Sequence, residues 1–419
     1  MKRIAIGIAL LGCACDDAGT TTSSSSSGTG GSGGKPDALV CTAPSITKGP
    51  WSLRVNDTSA VVRWEACATG TPGAIDVTPE AGGATTTVDS TETPITLAET
   101  YAAPLFPDAP KDYAGTYYSH EAAIQGLAPG TCYRYALAAD PERKGRFCTA
   151  HAPGEPFKFM AIGDTNPALG STAGVIAHAI PENPEFVIHG GDIQYYDSRI
   201  ETWASWFPTM QPMLAQGAFF AAIGNHESEQ STELSEYSLR FFGGAGFDGG
   251  DTYYRFENGG VWFFSMNTEE SISQGSEQGV WLETGLAEVS KKPGYRFSVV
   301  YFHKPIVTCG DTGDDPMARA YLEPLFQQYK VMFVLQAHMH GYERFEFPNG
   351  VTYITAAGGG GLIENPSLNV QRDYCGQRLA VGDYYHSVIF SVGATEVTGK
   401  VIDRDGAVRD TFTKPTPTP

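Results

Sequence analysis

Five apolar runs in the chain stop abruptly at a polar side chain. The clearest is EFVIHGGDIQYYD, residues 185–197, where the apolar positions end at two glycines and Asp192. Such a run is typical of a buried strand that delivers its last polar residue to a loop. The other four runs end at Asp164, at Asn225 and His226, at His303, and at His338 and His340. Because sites form at the carboxyl ends of parallel strands, these five segments are predicted to converge on one place.

The pattern of strands and helices predicts two domains. Residues 39–151 contain short runs rich in β-branched and aromatic residues, separated by Gly, Pro and Asn-Asp turns, which predicts an all-β sandwich. Residues 155–405 alternate strand-like runs with helical patterns, which predicts an α/β (α+β) domain with buried strands. Helices are expected at 170–179, 200–214, 231–241, 277–289 and 317–329, with a hairpin at 252–268.

Two further segments are predicted to lack regular structure. Residues 99–114, rich in Ala, Pro and Asp, are interpreted as a loop. A last hairpin is expected after Lys400, and residues 406–419 are assigned to a disordered tail because of their Pro/Thr-rich end.

The first residues resemble a bacterial lipoprotein signal. Lys2 and Arg3 precede an apolar stretch that is too short to span a bilayer and that ends at Cys13. Residues 1–12 are therefore expected to be removed and Cys13 to be lipidated; an ordinary secretory signal cleaved elsewhere is the alternative. Residues 13–38 are rich in Ser, Thr and Gly and are predicted to be a flexible tether. The protein is expected to be extracytoplasmic and bound to a membrane only through its lipid, or else secreted.

The charge of the chain restricts the class of partner, and its cysteine content indicates the cellular compartment and the disulfides. The chain has 28 Lys and Arg against 47 Asp and Glu, a formal charge of −19, which argues against a nucleic-acid partner. Eight cysteines fit an oxidising compartment. The expected disulfides are the two pairs that lie within one domain, Cys132 with Cys148 and Cys309 with Cys375. Zinc binding by thiolates is disfavoured because the sequence has no CxxC.

The residues at the strand ends form a mixed set of metal ligands. Three offer oxygen and three offer imidazole nitrogen: Asp164, Asp192, Asn225, His303, His338 and His340. This mixture suits iron, zinc or manganese better than calcium or magnesium. The set is too large for one ion that keeps a position for substrate, so two ions that share a carboxylate are predicted. Such a pair holds the attacking and leaving oxygens of a phosphoryl transfer and generates hydroxide from bound water.

Tyr195 is a further candidate ligand. It lies three residues after Asp192 on the same predicted loop, so both can meet one metal. A phenol with a solution pKa of about 10 needs a strongly Lewis-acidic partner to ionise, and ferric iron is the natural candidate. Tyr196 is an alternative ligand, and packing of both tyrosines is another interpretation.

His226 and Glu227 are candidates for acid–base chemistry. If the preceding Asn225 faces the metal, His226 is directed elsewhere near the pocket, where an imidazolium could hold a phosphate oxygen or protonate the leaving alcohol. Glu227 could fix the His226 ring and raise its pKa. His189 and His386 lie close enough to the motifs to support the ligands.

The five blocks GDTN, GDIQY, GNHE, VYFH and AHMH, in this order, resemble those of purple acid phosphatases within the calcineurin-like metallophosphoesterases. GYER after the last histidine and QGVWL at 278–282 match as well. The resemblance implies two ions bridged by Asp192. Ferric iron would be held by Asp164, Asp192, Tyr195 and His340. A divalent ion (Zn, Fe or Mn) would be held by Asp192, Asn225, His303 and His338.

The resemblance also includes the N-terminal region, and the sequence differs from the family motifs at several positions. Residues 127–135 resemble a corner and strand of a fibronectin type III domain, which plant-type members carry in front of the catalytic domain. Asn166 and Ala337 stand where the family has glycine, and neither change removes a ligand. Lys304 and Pro305 follow His303, without a clear equivalent of an extra histidine that many members place beyond that block.

The sequence therefore predicts a dinuclear metallophosphatase that hydrolyses small phosphate monoesters by attack of a metal-activated hydroxide on phosphorus. A phosphodiesterase or nucleotide pyrophosphatase using the same site is the alternative within the fold. A surface adhesion or binding lipoprotein with an inert metal domain is the alternative of another class. The complete ligand set argues against the latter, since an inert domain has no reason to retain every ligand type.

Overall fold

The computed structural model describes residues 45–70, 73–97, 114–195, 200–228, 239–242 and 252–416. The predicted signal, Cys13, the tether, Tyr196, most of the predicted loop at 99–114 and most of the predicted helix at 231–241 lie outside these ranges. No helix among the described residues is long and apolar enough to cross a membrane.

Two four-stranded antiparallel sheets form the N-terminal region. Their strands are β1 Ile46–Leu53, β2 Ser59–Ala66, β3 Ala74–Pro79, β4 Thr86–Asp89, β5 Thr91–Leu97, β6 Gly115–Gln125, β7 Cys132–Leu137 and β8 Asp140–Cys148. The orders are β1-β2-β6-β5 and β4-β3-β7-β8, and side chains from both sheets share one core. Trp64 is fully buried there and stacks on His120. The β-rich prediction is confirmed, and the likeness to fibronectin type III stays a prediction.

Two of these strands have features that weaken their sequence pattern. Strand β5 contains Pro94, which lacks a main-chain N–H, and it lies at a sheet edge where such a residue is tolerated. Strand β3 is short, and only Ile75 and Val77 alternate inward along it.

Residues 157–415 contain two mixed sheets. Their strands are β9 Phe157–Ile162, β10 Phe186–His189, β11 Ala218–Ala221, β12 Tyr254–Asn258, β13 Val261–Ser265, β14 Phe297–Tyr301, β15 Val331–Gln336, β16 Tyr342–Glu346, β17 Thr352–Ala356, β18 Arg378–Gly382, β19 His386–Val392, β20 Glu396–Asp403 and β21 Val408–Pro415. The orders are β11-β10-β9-β19-β20-β21 and β12-β13-β14-β15-β17-β16-β18. Strands β12 and β13 form the predicted hairpin.

Helices flank the two sheets. They are α1 Ser171–Ala179, α2 Ile200–Leu214, α3 Leu239–Phe241, α4 Glu277–Val289 and α5 Pro316–Gln328. Residues of both sheets pack together in one apolar core, α1 and α2 cover the six-stranded sheet, and α4 and α5 cover the seven-stranded sheet. This layered arrangement confirms the predicted α/β sandwich.

The parallel strands of each sheet end at a common edge. Strands β9, β10 and β11 are parallel in one sheet, and β13, β14, β15 and β17 are parallel in the other. The loops that leave β9, β10, β11, β14 and β15 carry the predicted ligands. The predicted convergence of five segments therefore follows from this topology.

The hairpin expected after Lys400 is present, whereas the disordered tail predicted from residue 406 is wrong. Instead of a disordered tail from residue 406, strand β21 pairs antiparallel with β20 along its whole length and closes the edge of the six-stranded sheet. Phe412 packs against the core, and Lys414 forms an ion pair with Glu346 at 2.7 Å. The alternating pattern of VRDTFTKP favours a strand with one face toward the protein, and the Pro/Thr composition obscured it.

The predicted disulfides are present. Cys132 and Cys148 join β7 to β8, and Cys309 and Cys375 join the loop after β14 to the segment before β18. Both predicted pairings are confirmed, and the second one lies close to the candidate site described below.

A buried ion-pair group connects the N-terminal sheets to residues 239–242. Glu65 is 1% exposed; its Oε1 lies 2.6 Å from Lys48 Nζ, and its Oε2 contacts the guanidinium of Arg240. Trp51 Nε1 donates to the main-chain carbonyl of Phe241 at 3.1 Å. One carboxylate therefore pairs with two buried cations that belong to different parts of the chain.

Replacing Glu65 with glutamine is expected to lower the free energy of unfolding by about 3–5 kcal/mol, because the buried cations of Lys48 and Arg240 both lose the charge of this carboxylate. Denaturant titration measures the change. Glu142→Gln is the control, since its pair with Lys144 is exposed and the expected loss is below about 1 kcal/mol. Equal losses in the two variants would contradict the assigned role of Glu65.

Candidate metal centre

The predicted ligands meet in two groups that share one carboxylate. Ligand atoms of Asp192, His303 and His338 lie within 4.8 Å of one another, and so do those of Asp164, Asp192 and His340. Asp164, Asp192 and His303 are buried, with at most 1% of their surface exposed. Two adjacent groups of oxygen and nitrogen donors with a common aspartate fit a pair of cations better than a single ion.

Tyr195 and Asn225 complete the two groups. The Tyr195 hydroxyl donates to Asp164 Oδ1 at 3.2 Å and lies 2.7 Å from His340 Nε2. Asn225 Oδ1 lies 3.1 Å from His303 Nε2. The structure thus places Tyr195 with Asp164 and His340, and Asn225 with His303, which is the division that the family resemblance implies.

The backbone at the ligands adopts an uncommon conformation. Asp164, Asp192 and His338 have φ values of 60°, 49° and 69°, in the left-handed region that few residues other than glycine adopt. Such conformations cluster at functional sites, where the surrounding structure maintains them. Gly224 permits the close approach here, since a Cβ at this position would lie 2.2 Å from Asp192 Oδ1.

The candidate ligands strongly perturb one another's pKa values. Burial alone would lower the pKa of His303, but the adjacent Asp192 carboxylate outweighs it and raises that pKa to about 9. Burial would likewise raise the pKa of Asp192, but interaction with His303 holds it well below its usual range. For His338, burial and then His303 lower the pKa to about 4. Burial and then Asp164 raise the pKa of Tyr195 well above its usual value, so its ionisation requires a nearby cation.

His226 lies at the opening of the centre. Its Nε2 is 3.8 Å from Asp192 Oδ2, its ring centroid is 4.3 Å from that of Tyr195, and a quarter of its side chain is exposed. Its main-chain N–H donates to Asp192 Oδ1 at 3.0 Å. The ring is therefore fixed beside the shared carboxylate and still accessible to a ligand from solvent.

Glu227 does not have the role that the sequence suggested. Its carboxylate is buried and accepts main-chain N–H bonds from Ile193 at 2.8 Å and Gly224 at 2.9 Å. Among the described residues, the Asp192 carboxylate lies 3.8 Å from His226 Nε2. Burial, then the Asp192 charge, raise the pKa of Glu227 to about 8. Glu227 is a positioning residue that ties the Asp192 loop to the Asn225 loop.

Thr165 also ties the ligand loops together. Its hydroxyl donates to the Ile193 carbonyl at 2.6 Å and lies 3.1 Å from both His189 Nε2 and Trp206 Nε1. His189 therefore supports the site through Thr165, in agreement with the prediction, and burial lowers its pKa to about 4.

A glycine run at 358–361 was missed by the sequence analysis. The N–H of Gly361 donates to the Asp164 carbonyl at 2.8 Å, and a Cβ at Gly361 would lie 2.6 Å from the His340 ring. The carbonyl of Leu362 is 2.7 Å from His340 Nδ1, so this segment orients the imidazole. Four consecutive glycines directly after a strand are the signal that could have indicated a close backbone approach.

The departures from the family motifs fit the structure. The Cβ of Ala337 faces Gly163 and Gly190. Because these two residues lack a Cβ, they leave room for the alanine methyl group. The main-chain N–H of Asn166 donates to Thr172 Oγ1 at 3.1 Å, at the start of α1. His386, the other predicted supporting histidine, is buried against Gly358, at the beginning of the glycine run.

The chain is similar to known phosphoesterases in sequence. Residues 157–342 match the model of the calcineurin-like phosphoesterase family. Purple acid phosphatase 22 of Arabidopsis thaliana is 27% identical over 262 residues, which cover 58% of each chain. Residues 157–342 are therefore similar to calcineurin-like phosphoesterases, and the longer matched region is similar to purple acid phosphatases.

Two further matches show how much of the chain is similar to known proteins in sequence and in fold. An uncharacterized protein of Mycobacterium tuberculosis is 30% identical over 266 residues, 54% of this chain and 50% of the relative. The chain thus spans about half the length of the curated relatives it matches. The solved purple acid phosphatase from yellow lupin (Lupinus luteus) seeds has a TM-score of 0.69 and 18% identity, covering 87% of this chain and 74% of its own, which shows a shared fold. None of these matches supports the adhesion alternative.

Proposed function

We propose that this protein hydrolyses phosphate monoesters at a dinuclear metal centre. The observation that carries the proposal is the pair of ligand groups with Asp192 in common, which fits two neighbouring cations. The family similarity supports the same reading. Following the resemblance, the proposed ions are ferric iron and a divalent Zn, Fe or Mn.

The donor set suits this pair. Tyr195, with two carboxylates and His340 nearby, provides the hard, anionic surroundings that ferric iron prefers, whereas Asn225, His303 and His338 suit a divalent ion. Two ions bound there would supply Lewis acidity and lower the pKa of a water molecule.

The protein's own residues carry the remaining roles. His226 is placed to hold a phosphate oxygen or to give a proton to the departing alcohol. Glu227 and Thr165 keep the ligand loops at their separation through main-chain contacts. Tyr195 and the glycine run fix the orientation of His340.

The test combines metal analysis with a substrate panel. Purified protein is expected to contain two metal ions per chain, to absorb visible light through a tyrosinate–iron contact, and to hydrolyse aryl and alkyl phosphate monoesters faster than matched diesters. Faster hydrolysis of diesters would favour the phosphodiesterase alternative. Metal-replete protein without activity on either class would refute the proposal.

We further propose that the protein is tethered outside the cytoplasm through Cys13, which lies outside the described residues. Replacing Cys13 with serine is expected to move the protein from the membrane fraction to the soluble fraction, because the lipid would no longer be attached. Fractionation and immunoblotting measure the change, and Cys15→Ser is the control. Unchanged fractionation of the Cys13 variant would contradict the anchor.

A further inference from the structure

A cleft of about 460 Å³ opens beside the ligand His338. Its walls come from three segments, 268–273, 304–306 and 312–318. Because the cleft begins at a predicted metal ligand, it adjoins the place where the proposed function puts the phosphate ester. This inference rests on the proposed function and addresses which alcohols the site accepts.

Lys304 is the only lysine or arginine among the described residues that line the cleft. It directly follows His303, and its main-chain N–H donates to Thr268 Oγ1 at 2.9 Å. Its Nζ lies 2.6 Å from Glu269 Oε2. Lys304 is 42% exposed at the side chain and Glu269 only 16%, so the lysine faces the cleft while the carboxylate lies behind it.

The segment that carries Glu269 is held rigidly. The Glu269 N–H donates to Asn267 Oδ1 at 2.9 Å, and the main chain of Asn267 makes two hydrogen bonds of 2.9 Å with the buried side chain of Gln278. Gln278 belongs to α4, so a helix fixes the carboxylate opposite Lys304. The ion pair is therefore part of the folded wall.

Among the described residues that line the cleft, the carboxylates are Glu270, Asp314 and Asp315. Asp314 pairs with Arg372 at 3.4 Å, and Asp315 accepts main-chain N–H bonds from the first turn of α5. Glu270 accepts from Asn267 Nδ2 at 3.2 Å. With the Lys304 charge offset by Glu269, the lining residues present a neutral to negative surface to a ligand.

We propose that the Lys304–Glu269 pair determines the charge of the leaving group that this site accepts. Neutral and cationic alcohols enter the cleft, whereas an alcohol that carries a carboxylate or a second phosphate meets acidic side chains and a lysine whose charge is already offset. Lys304 and Glu269 are thus specificity-determining residues, and the carboxylate acts on the substrate through the lysine.

Two esters of similar shape test this proposal: 4-carboxyphenyl phosphate and its neutral amide analogue 4-carbamoylphenyl phosphate. The measured quantity is kcat/KM for 4-carboxyphenyl phosphate divided by kcat/KM for 4-carbamoylphenyl phosphate. Comparing this ratio between variant and wild type cancels the different intrinsic reactivities of the two esters. Glu269→Gln removes the carboxylate that offsets the Lys304 charge and is expected to raise the ratio about tenfold. A change of this size is expected for one unit charge that acts across a partly exposed cleft. Lys304→Met is expected to lower the ratio by a similar factor.

The double variant and a matched control complete the design. Lys304→Met with Glu269→Gln restores a neutral pair, so the ratio is expected to return to within about threefold of wild type. Glu288→Gln removes a carboxylate from the Lys292 pair at the far end of α4 and should leave the ratio unchanged. Metal content is measured in every variant.

The outcomes separate this inference from the proposed function. A wild-type protein that contains metal but hydrolyses neither ester would refute the function itself. A wild-type protein that hydrolyses both, with the same ratio in Glu269→Gln or Lys304→Met as in wild type, would overturn the role of the pair while leaving the function intact.

Discussion

Asp192→Asn is expected to abolish binding of both metal ions and with it the phosphatase activity. Asp192 is the residue that the two ligand groups share. Because it is buried, solvent cannot compensate for the loss of its negative charge. Loss of an outer partner of a metal ligand typically costs about 10–100-fold, so loss of the shared ligand is expected to cost at least about 100-fold in kcat/KM. Elemental analysis of the purified variant, with circular dichroism to confirm the fold, measures the effect.

Variants of the unshared ligands separate the two ions. His338→Ala removes a ligand from one group only and is expected to lower metal content toward one ion per chain while the visible absorption remains. His340 belongs to the group that contains Tyr195, so His340→Ala is expected to remove the visible absorption. His178→Ala, an exposed histidine on α1, is the control. Two ions and full activity in Asp192→Asn would place the centre elsewhere.

The ligands could be predicted from sequence because each is tied to the end of a buried strand. Asp164, Asp192 and His303 follow β9, β10 and β14 within three residues, so the apolar runs indicated their position without knowledge of the sheet order. The order of the strands came only with the structure, since β19 inserts beside β9 from near the end of the chain. The shared role of Asp192 came from the family resemblance, and the structure places its carboxylate accordingly.

Other features of the site depend on contacts that a sequence pattern does not contain. Glu227 lies next to His226 in the chain, which suggested a pair, but the turn at residues 225–227 directs its carboxylate toward the main chain of the Asp192 loop. The glycine run at 358–361 contacts Asp164 and His340, which lie far from it in sequence. The partner of Lys304 is likewise 35 residues away, on a segment without a recognisable motif.

His226→Ala is expected to retain both metal ions and to slow the hydrolysis of esters with poor leaving groups. The side chain belongs to neither ligand group, yet its Nε2 lies 3.8 Å from the shared carboxylate at the open side of the centre. General acid catalysis typically contributes about 10²–10⁴-fold, and it contributes most when the departing oxygen is a strong base. An alkyl phosphate should therefore lose far more kcat than an activated aryl phosphate such as 4-nitrophenyl phosphate.

A second substitution separates proton donation from phosphate binding. His226→Gln retains a hydrogen-bond donor of similar reach but has no proton to give to an alkoxide. If His226 is the acid, both variants lose kcat selectively on the alkyl ester. If it only holds the phosphate, glutamine restores most of the activity, and alanine raises KM for both esters by the same factor. Because an acid changes the kcat ratio of the two esters and a binding contact does not, that ratio decides between the two roles, and wild-type kinetics in both variants would exclude His226 from the reaction.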